Sequence, residues 1–506
     1  MTERLLSFPL ILVLAGLSCI AMLVPGIHAL VVEDHSVARA FIYSSLLSLA
    51  LLFMIGLAMS GRKRPDNTDI ENLVSLALAY TLLPVLLAVP FYEGLETTLF
   101  LNAYVEMVSS LTTTGATLFT TPERLVDSLH LWRGVVGWLG GLLIWVAAAA
   151  VLAPMNLGGF ELSVAAEPGQ GDQSTFRFER ASSSKRLSQV TTLLAPIYVG
   201  LTLILWLLLT AVGDPPLVSA MHAMATMSTS GISPIGGVSQ SAGGFLPEVM
   251  IFAFMLFALS RTTFSSDAVS GQKTNPFMDP EFRIGAVLII GVPLLLFFRH
   301  WLAAFEFEQE ENFALALQAL WGGLFTVLSF LSTTGFESAS WQDARAWSGL
   351  GTPGIVLVGL AMIGGGVATT AGGVKLLRIY ALYRNGKREL QRLAQPSSVG
   401  FTGGPNRRLH KRGAFFAWVF FMLFGLSLAL VTVVMAALGQ NLEDALVLAV
   451  ASLSTTGPLT VVAVDTPIDL IEMSTTAKLV FSAAMVLGRL ETLAVIALLN
   501  PSLWWD

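Results

Sequence analysis

Charge is scarce in this sequence. Only 12% of its 506 residues are Asp, Glu, Lys or Arg, about half the share of a soluble domain. Cysteine is scarcer still. Cys19 stands alone inside an apolar run, which excludes an intrachain disulfide and a cysteine-based metal cluster. There is no His-Glu-x-x-His, no Gly-x-Ser-x-Gly and no aspartate pair within an apolar run. An intramembrane enzyme therefore has neither its nucleophile nor its metal pair. The net charge of −6 is too small to indicate a nucleic-acid partner. No stretch resembles a soluble nucleotide-binding domain.

Apolar sequence is abundant instead. Hydrophobic residues make up 54% of the chain and mean hydropathy is +0.72, the composition of a polytopic membrane protein. A crossing helix needs about 20 apolar residues. On that measure spans are expected near 8–31, 38–60, 70–91, 129–153, 188–212, 246–262, 283–305, 349–383, 413–438 and 475–499. The first apolar run, Leu6 to Val32, exceeds the roughly 7–15 residues of a signal-peptide core and reads as a retained helix, interrupted near its end by Pro25 and Gly26. Four further apolar segments, near 96–111, 215–228, 313–331 and 442–453, are too short to cross.

The few charges are unevenly placed. Gly-Arg-Lys-Arg-Pro-Asp fills 61–66, and Lys375 to Arg412 holds ten Lys/Arg with the single acid Glu389. Alternate loops carry Glu33 and Asp34; Glu306, Glu308, Glu310 and Glu311; and Asp465, Asp469 and Glu472. Basic loops stay cytoplasmic, so both termini are expected in the cytoplasm. The basic 375–412 stretch is a solvated loop that can also meet anionic lipid or a soluble partner.

Each short segment ends in a hydroxyl-rich turn closed by glycine. The four turns are Thr112-Thr113-Thr114-Gly115, Ser228-Thr229-Ser230-Gly231, Ser332-Thr333-Thr334-Gly335 and Ser454-Thr455-Thr456-Gly457. The glycines stand 116, 104 and 122 residues apart, too far for a solenoid period of roughly 20–50. The expected fold is an all-α polytopic membrane protein. Two leading helices (1–66) precede four helix–pore loop–helix repeats (67–160, 161–275, 276–385 and 413–506) around a pseudo-fourfold pore, with a basic linker at 386–412.

Irregular backbone at membrane depth must be buried in protein or line a cavity. Four such turns entering from one side most simply meet on one axis. Glycine allows a left-handed φ that turns successive carbonyls one way, and a ring of carbonyls replaces the water shell of an alkali cation. The partly negative C-terminal ends of the short helices favour a cation there. A single Ser/Thr-Thr-Gly also occurs at ordinary helix kinks. Four copies in register, each after a too-short apolar segment, make a selectivity filter the stronger reading.

The residues around the first turn, Val105 to Thr117, resemble the first pore loop of the Trk/Ktr/HKT superfamily of potassium transporters. So do Trp132-Arg133 with Trp138-Leu139-Gly140-Gly141, Gly488-Arg489-Leu490-Glu491, and Asn500-Pro501-Ser502-Leu503-Trp504-Trp505. The two leading helices fit the bacterial Trk-type membrane subunit. Three positions depart from the pattern: Ser230 replaces a usual glycine, Leu459 follows Gly457-Pro458, and Gly137 stands where Gln is common. The resemblance implies potassium as the transported ion, since all four turn glycines are present. It also implies a homodimer in the bacterial inner membrane and a soluble TrkA-type nucleotide-binding partner, with no cofactor in this chain.

The eighth span is interrupted by Gly364-Gly365-Gly366-Val367-Ala368-Thr369-Thr370-Ala371-Gly372-Gly373, followed by Lys375. Five glycines in ten residues hold a helix poorly, at about 1 kcal/mol each. A phosphate-binding loop is excluded by the missing Gly-Lys-Ser/Thr ending. A close-packing glycine face or a flexible intramembrane gate remain, and the resemblance implies the gate. Arg489, about 14 residues into the last span, either faces the pore as a second gate element, or snorkels to the interface or pairs with a buried acid. Glu106 and His222 each precede their glycine by nine residues, where repeats three and four carry Thr326 and Leu448. Either they set the field at the outer mouth, or they anchor the pore helices by hydrogen bonds.

Overall fold

The computed structural model describes residues 8–59, 68–155, 157, 183–260, 279–303, 313–349, 354–394, 411–464, 466–492 and 494–495. The basic 61–66 loop, Glu306, Glu308, Glu310, Glu311, Asp465 and the Asn500 to Trp505 motif lie outside the described residues. Those described form helices and no strand, as the apolar composition demands of a multi-pass membrane protein.

Two helices, α1 (Leu10–Ala21) and α2 (Leu23–Val31), make one broken span, packed on α3 (His35–Met59). The break falls at Met22 because Pro25 has no N–H for the Ala21 carbonyl. Then a pattern repeats four times. The first round is α4 (Thr68–Leu95), short α5 (Phe100–Leu111) and α6 (Asp127–Ala147). The second is α7 (Ser183–Val212), α8 (Pro216–Ser228) and α9 (Phe245–Met255). The third is α10 (Pro280–Ala303), α11 (Phe313–Leu331), a small α12 (Trp341–Ser348) and α13 (Gly354–Ile363), with α14 (Leu376–Ala394) after the glycine-rich loop. The fourth is α15 (Lys411–Ala437), α16 (Leu442–Leu453), a one-turn α17 (Leu459–Val462) and α18 (Thr475–Leu490).

Among the described residues seven helical segments are long and apolar enough to cross a membrane, where the sequence suggested ten. The three that fall short, α9, α13 and α18, close repeats two, three and four. Helix α9 tightens into a 3-10 turn at Leu256–Ala258, and Gly366 N–H takes the Ala258 carbonyl at 2.9 Å. Backbone from repeat three thus caps α9. Helix α13 stops at Gly364, which has φ +74, and α18 stops at Glu491, with φ 64 and ψ 144. The 349–383 span is also corrected at its start, because Gly349 ends α12 in the left-handed region.

The repeats close into a ring through one rule: each closing helix packs on the short helix of the next repeat. Helix α6 meets α8, α9 meets α11, α13 meets α16, and α18 returns to α5. Polar ties reinforce the seams. Tyr198 Oη donates to the Trp138 carbonyl at 3.1 Å, and Lys478 Nζ donates to Asn102 Oδ1 at 2.9 Å. Close backbone approach needs residues without Cβ. A Cβ on Gly140 would strike the Leu111 carbonyl, and one on Gly488 would strike that of Leu453.

Gly140→Ala is therefore expected to lower the melting temperature of the detergent-solubilised protein, with overpacking of about 1–3 kcal/mol. Gly200→Ala, on the same kind of helix but with nothing within 4 Å, should hold or raise it. Equal melting temperatures for the two variants would contradict this packing.

Candidate functional site

All four turns share one local geometry. The first and third hydroxyls bond to each other: Thr112 to Thr114 at 2.8 Å, Ser228 to Ser230 at 3.0 Å, Ser332 to Thr334 at 2.9 Å and Ser454 to Thr456 at 3.2 Å. The residue between them is threonine every time, with φ of 54, 52, 60 and 53 at Thr113, Thr229, Thr333 and Thr455. A β-branched residue in this region is a strained conformation, costing ~1–2 kcal/mol. The third residue's N–H reaches back to the carbonyl five positions earlier, as in Thr114 to Ser109 and Thr334 to Ser329, both at 2.9 Å. This is how a helix stops abruptly without leaving its last carbonyls unpaired.

The turns meet one another in cyclic order. A Cβ on Gly115 would strike the Ser230 carbonyl, one on Gly231 the Thr334 carbonyl, one on Gly335 the Pro458 ring, and one on Gly457 the backbone of Ala116. Three of the glycines have left-handed φ: Gly115 at 72, Gly231 at 63 and Gly335 at 84. Gly457 does not. Its N–H instead takes the Thr114 carbonyl at 2.6 Å, and Pro458 leads straight into α17. The fourth turn therefore departs from the uniform carbonyl arrangement expected of four equal walls. Gly137 fits against Ile232, the Ser110 carbonyl and Ser230 Oγ, where a larger side chain would displace Ile232.

Behind the ring, the chains leaving the first three turns are each tied to their own short helix. Glu106, fully buried, accepts from Leu118 N–H at 2.9 Å and pairs with Arg133 at 2.6 Å. His222 Nε2 bonds Ser233 Oγ at 2.9 Å. Thr326 Oγ1 accepts from Ser338 N–H at 3.4 Å. Leu448 has no polar group with which to do the same. These side chains are anchors, and none of the bonds they make points into the ring. Sequence reasoning missed Glu248 of α9. Its carboxylate accepts from Trp321 Nε1 at 2.9 Å, Ser338 Oγ at 2.7 Å and Ala339 N–H at 2.7 Å. A lone acid in an apolar helix was the available signal.

The glycine-rich loop presses against the ring. Thr370 Oγ1 donates to the Met227 carbonyl at 3.1 Å, and Gly372 N–H donates to Thr333 Oγ1 at 2.8 Å. The α-carbon of Gly372 faces the Ser454 carbonyl and Thr455 Oγ1, where a Cβ would collide. The loop thus touches the third and fourth turns and the last turn of α8, just before the second. Its own frame is held by Thr369 Oγ1 on the Gly366 carbonyl at 2.8 Å, by Val367 N–H on Glu281 Oε1 at 2.8 Å, and by Lys375 Nζ on the Ala371 carbonyl. Gly364 and Gly373 lie too close together for either to carry a Cβ, and Gly365 packs on Ala371. Arg489 Nη1 donates to the Thr370 carbonyl at 2.8 Å, while its Nε and Nη2 are buried without a hydrogen-bond partner. The two gate candidates of the sequence are in contact, and Arg489 is 4% exposed, so it does not snorkel. Among the described residues no group of His, Cys, Asp and Glu could hold a metal ion.

The family model for TrkH, described as a cation transport protein, matches residues 38–503. The chain is 30% identical over 488 residues to the Trk system potassium uptake protein TrkH of Salmonella typhimurium, covering 96% of this chain and 95% of that one. It is 29% identical over 489 residues to TrkH of Escherichia coli K12, with the same coverage. The crystal structure of the potassium transporter TrkH from Vibrio parahaemolyticus shares the fold, with a TM-score of 0.80 at 23% identity over the whole of both chains.

The anchor behind the first turn gives a stability test. Glu106→Leu leaves Arg133 buried without its carboxylate, which is expected to cost on the order of 3–5 kcal/mol. The double variant E106L/R133L should recover part of that loss, because no unpaired charge remains. Thermal melts of the two variants and the parent measure it, and a double variant no better than E106L would exclude the ion pair as the cause.

Proposed function

Because the chain belongs to the TrkH family of cation transport proteins, we propose that it carries potassium into the cell through a channel-like pore whose filter is the ring of four turns. The observation that carries this reading is the ring itself: four Ser/Thr-Thr-Ser/Thr-Gly turns in cyclic contact, with a glycine loop lodged against two of them and against the end of α8. Named relatives of high coverage are potassium uptake proteins.

The filter residues are Thr112 to Gly115, Ser228 to Gly231, Ser332 to Gly335 and Ser454 to Gly457. Backbone carbonyls and the middle threonine hydroxyls supply the oxygens that replace water around K⁺. Thr113 Oγ1 and Thr455 Oγ1 are buried with no other partner, so they are free to serve an ion. The helix ends behind the turns add partial negative charge. The loop of Gly364, Gly365, Gly366, Thr369, Thr370, Gly372 and Gly373, with Lys375, is the gate. In place, it occupies Thr333 Oγ1 through its own N–H and brings Arg489 to the pore, where a fixed positive charge opposes a cation. Opening requires the Arg489–Thr370 bond to part and the loop to leave the ring.

The repeat boundaries proposed here follow the helices: two leading helices, then units closing at α6, α9, α13 and α18. The uneven loop charges support both termini in the cytoplasm, and the resemblance to Trk-type subunits supports the bacterial inner membrane. Its resemblance to Trk-type subunits extends the proposal to a homodimer that works with a soluble TrkA-type nucleotide-binding subunit. No nucleotide site is proposed in this chain.

Two outcomes test the pore. In proteoliposomes with a K⁺ gradient alone, the chain should pass Rb⁺, and deleting Gly364 through Gly373 should raise that flux; uptake that needs a proton or sodium gradient would make it a coupled carrier instead. Gly115→Ser adds a Cβ against the Ser230 carbonyl at a residue with φ 72. It should lower Rb⁺ over Na⁺ discrimination about tenfold, roughly 1.4 kcal/mol. Unchanged discrimination would remove the first turn from the filter.

A further inference from the structure

Five ionisable side chains surround the glycine loop: Glu281, Lys375, Arg378, Arg489 and Glu491. Three of them bond loop backbone directly. Glu281 holds Val367 N–H, Lys375 holds the Ala371 carbonyl and Arg489 holds the Thr370 carbonyl. Arg378 and Glu491 bind each other, with Nη2 to Oε2 at 2.6 Å. Arg378 also donates Nη1 to the Val374 carbonyl at 3.3 Å and lies 3.6 Å over the Phe420 ring. It is fully buried and sits in the first turn of α14, just past the loop. Glu491 lies two residues beyond Arg489, where α18 stops. The pair therefore spans repeats three and four. One end fixes the loop's exit, and the other fixes the segment that carries Arg489.

The backbone on both sides is strained. Lys375 has φ 83, and Glu491 has φ 64 with ψ 144. Neither is glycine, and residues persist in such regions only where their surroundings hold them. The ion pair and the Lys375 bond to Ala371 help to hold these two, beside the Lys375 N–H on the Ile363 carbonyl at 2.9 Å.

We propose that the Arg378–Glu491 ion pair is the latch of the gate: two positioning residues that keep the loop on the ring and Arg489 on Thr370 at the same time. The inference rests on the gating reading above. With the pair intact, displacing α14 must also drag Glu491 and Arg489. With the pair broken, Lys375 and Glu491 relax toward ordinary backbone, Arg489 loses its alignment with the Thr370 carbonyl, and the loop is free to leave. Helix α14 is the handle. It leads from the latch into a basic amphipathic surface with Leu390 and Leu393 exposed, so a force applied there reaches Arg378 first.

Rb⁺ flux and Rb⁺/Na⁺ discrimination are measured together in proteoliposomes of the full chain. Arg378→Gln and Glu491→Gln should each raise basal flux about tenfold and leave discrimination unchanged, since the turns are not touched. The double variant R378Q/E491Q should leak no more than Arg378→Gln alone, because the ion pair is already lost in that single variant. The charge-swapped R378E/E491R should return to low flux, and it decides alone if a single variant fails to fold. Low flux in both single variants, additive leaks in the double variant, or a swapped pair as leaky as the loop deletion would overturn the latch. A loop deletion that is itself silent would instead overturn the gating reading.

Discussion

The centre of a bilayer offers no water to a free peptide group, and this chain stops four helices there. Everything distinctive about the structure follows from how those helix ends are satisfied. A hydroxyl on each side of a left-handed threonine closes the turn, and the third residue's N–H returns to the helix it left. The threonine pays about 1–2 kcal/mol in backbone strain, and the price is recovered only while the flanking hydroxyls stay paired. That explains why the motif reads hydroxyl-threonine-hydroxyl in all four copies. The glycine that follows is required by its neighbour at all four positions, where an added Cβ meets the next repeat, and by φ at three of them.

The ring is cyclic, but its four supports are unequal. The first exit segment is held by a buried carboxylate that also binds Arg133, the second by a histidine, the third by Thr326 and by Glu248 from the preceding repeat. The fourth has Leu448 and no such tie. It is held by Gly457 N–H on the Thr114 carbonyl and by a one-turn helix after Pro458. A bond to a neighbouring turn replaces a bond to the turn's own helix. The fourth turn is consequently dependent on the first in a way the others are not, and Lys478 on Asn102 closes the same seam further along.

The helices were legible in the sequence because they are local. Length and apolar content located nearly every one, and Pro25 marked the break at Met22. The turns were legible because a fourfold pattern identifies itself. Their cyclic contact was an inference from symmetry, and the unequal φ of Gly457 was invisible because it depends on a carbonyl supplied from repeat one. The ends of α9, α13 and α18 were misjudged for a related reason. Local composition does not show where each one stops: Gly366 meets the end of α9 at Ala258, and α13 and α18 end at Gly364 and Glu491 with positive φ. Glu248 was missed because its partners lie 73 to 91 residues away. Arg489 was recognised as a functional candidate by its depth, yet its bond to Thr370, 119 residues away, could not be read from spacing.

The same distinction bears on why a gate would belong to one repeat. A loop that lodges against a ring must replace something, and here it replaces regular helix. Repeat three forgoes a continuous closing helix, and the freed backbone bonds outward to the Ala258 and Met227 carbonyls, the Thr333 hydroxyl and the Glu281 carboxylate. Each of those bonds compensates a helical bond that glycine made easy to give up. Around this loop lie three cations and two carboxylates. Pairing Arg378 with Glu491 and placing Glu281 on the backbone leaves Arg489 with two guanidinium nitrogens unpartnered. A buried cation in that condition is unstable unless something negative approaches it, and the Thr370 carbonyl of the loop does so. A fold with four such loops would need four such charges at one axis, which repulsion forbids. In the proposed gate, one repeat carries the segment that moves, and the next one in the ring supplies the charge that holds it.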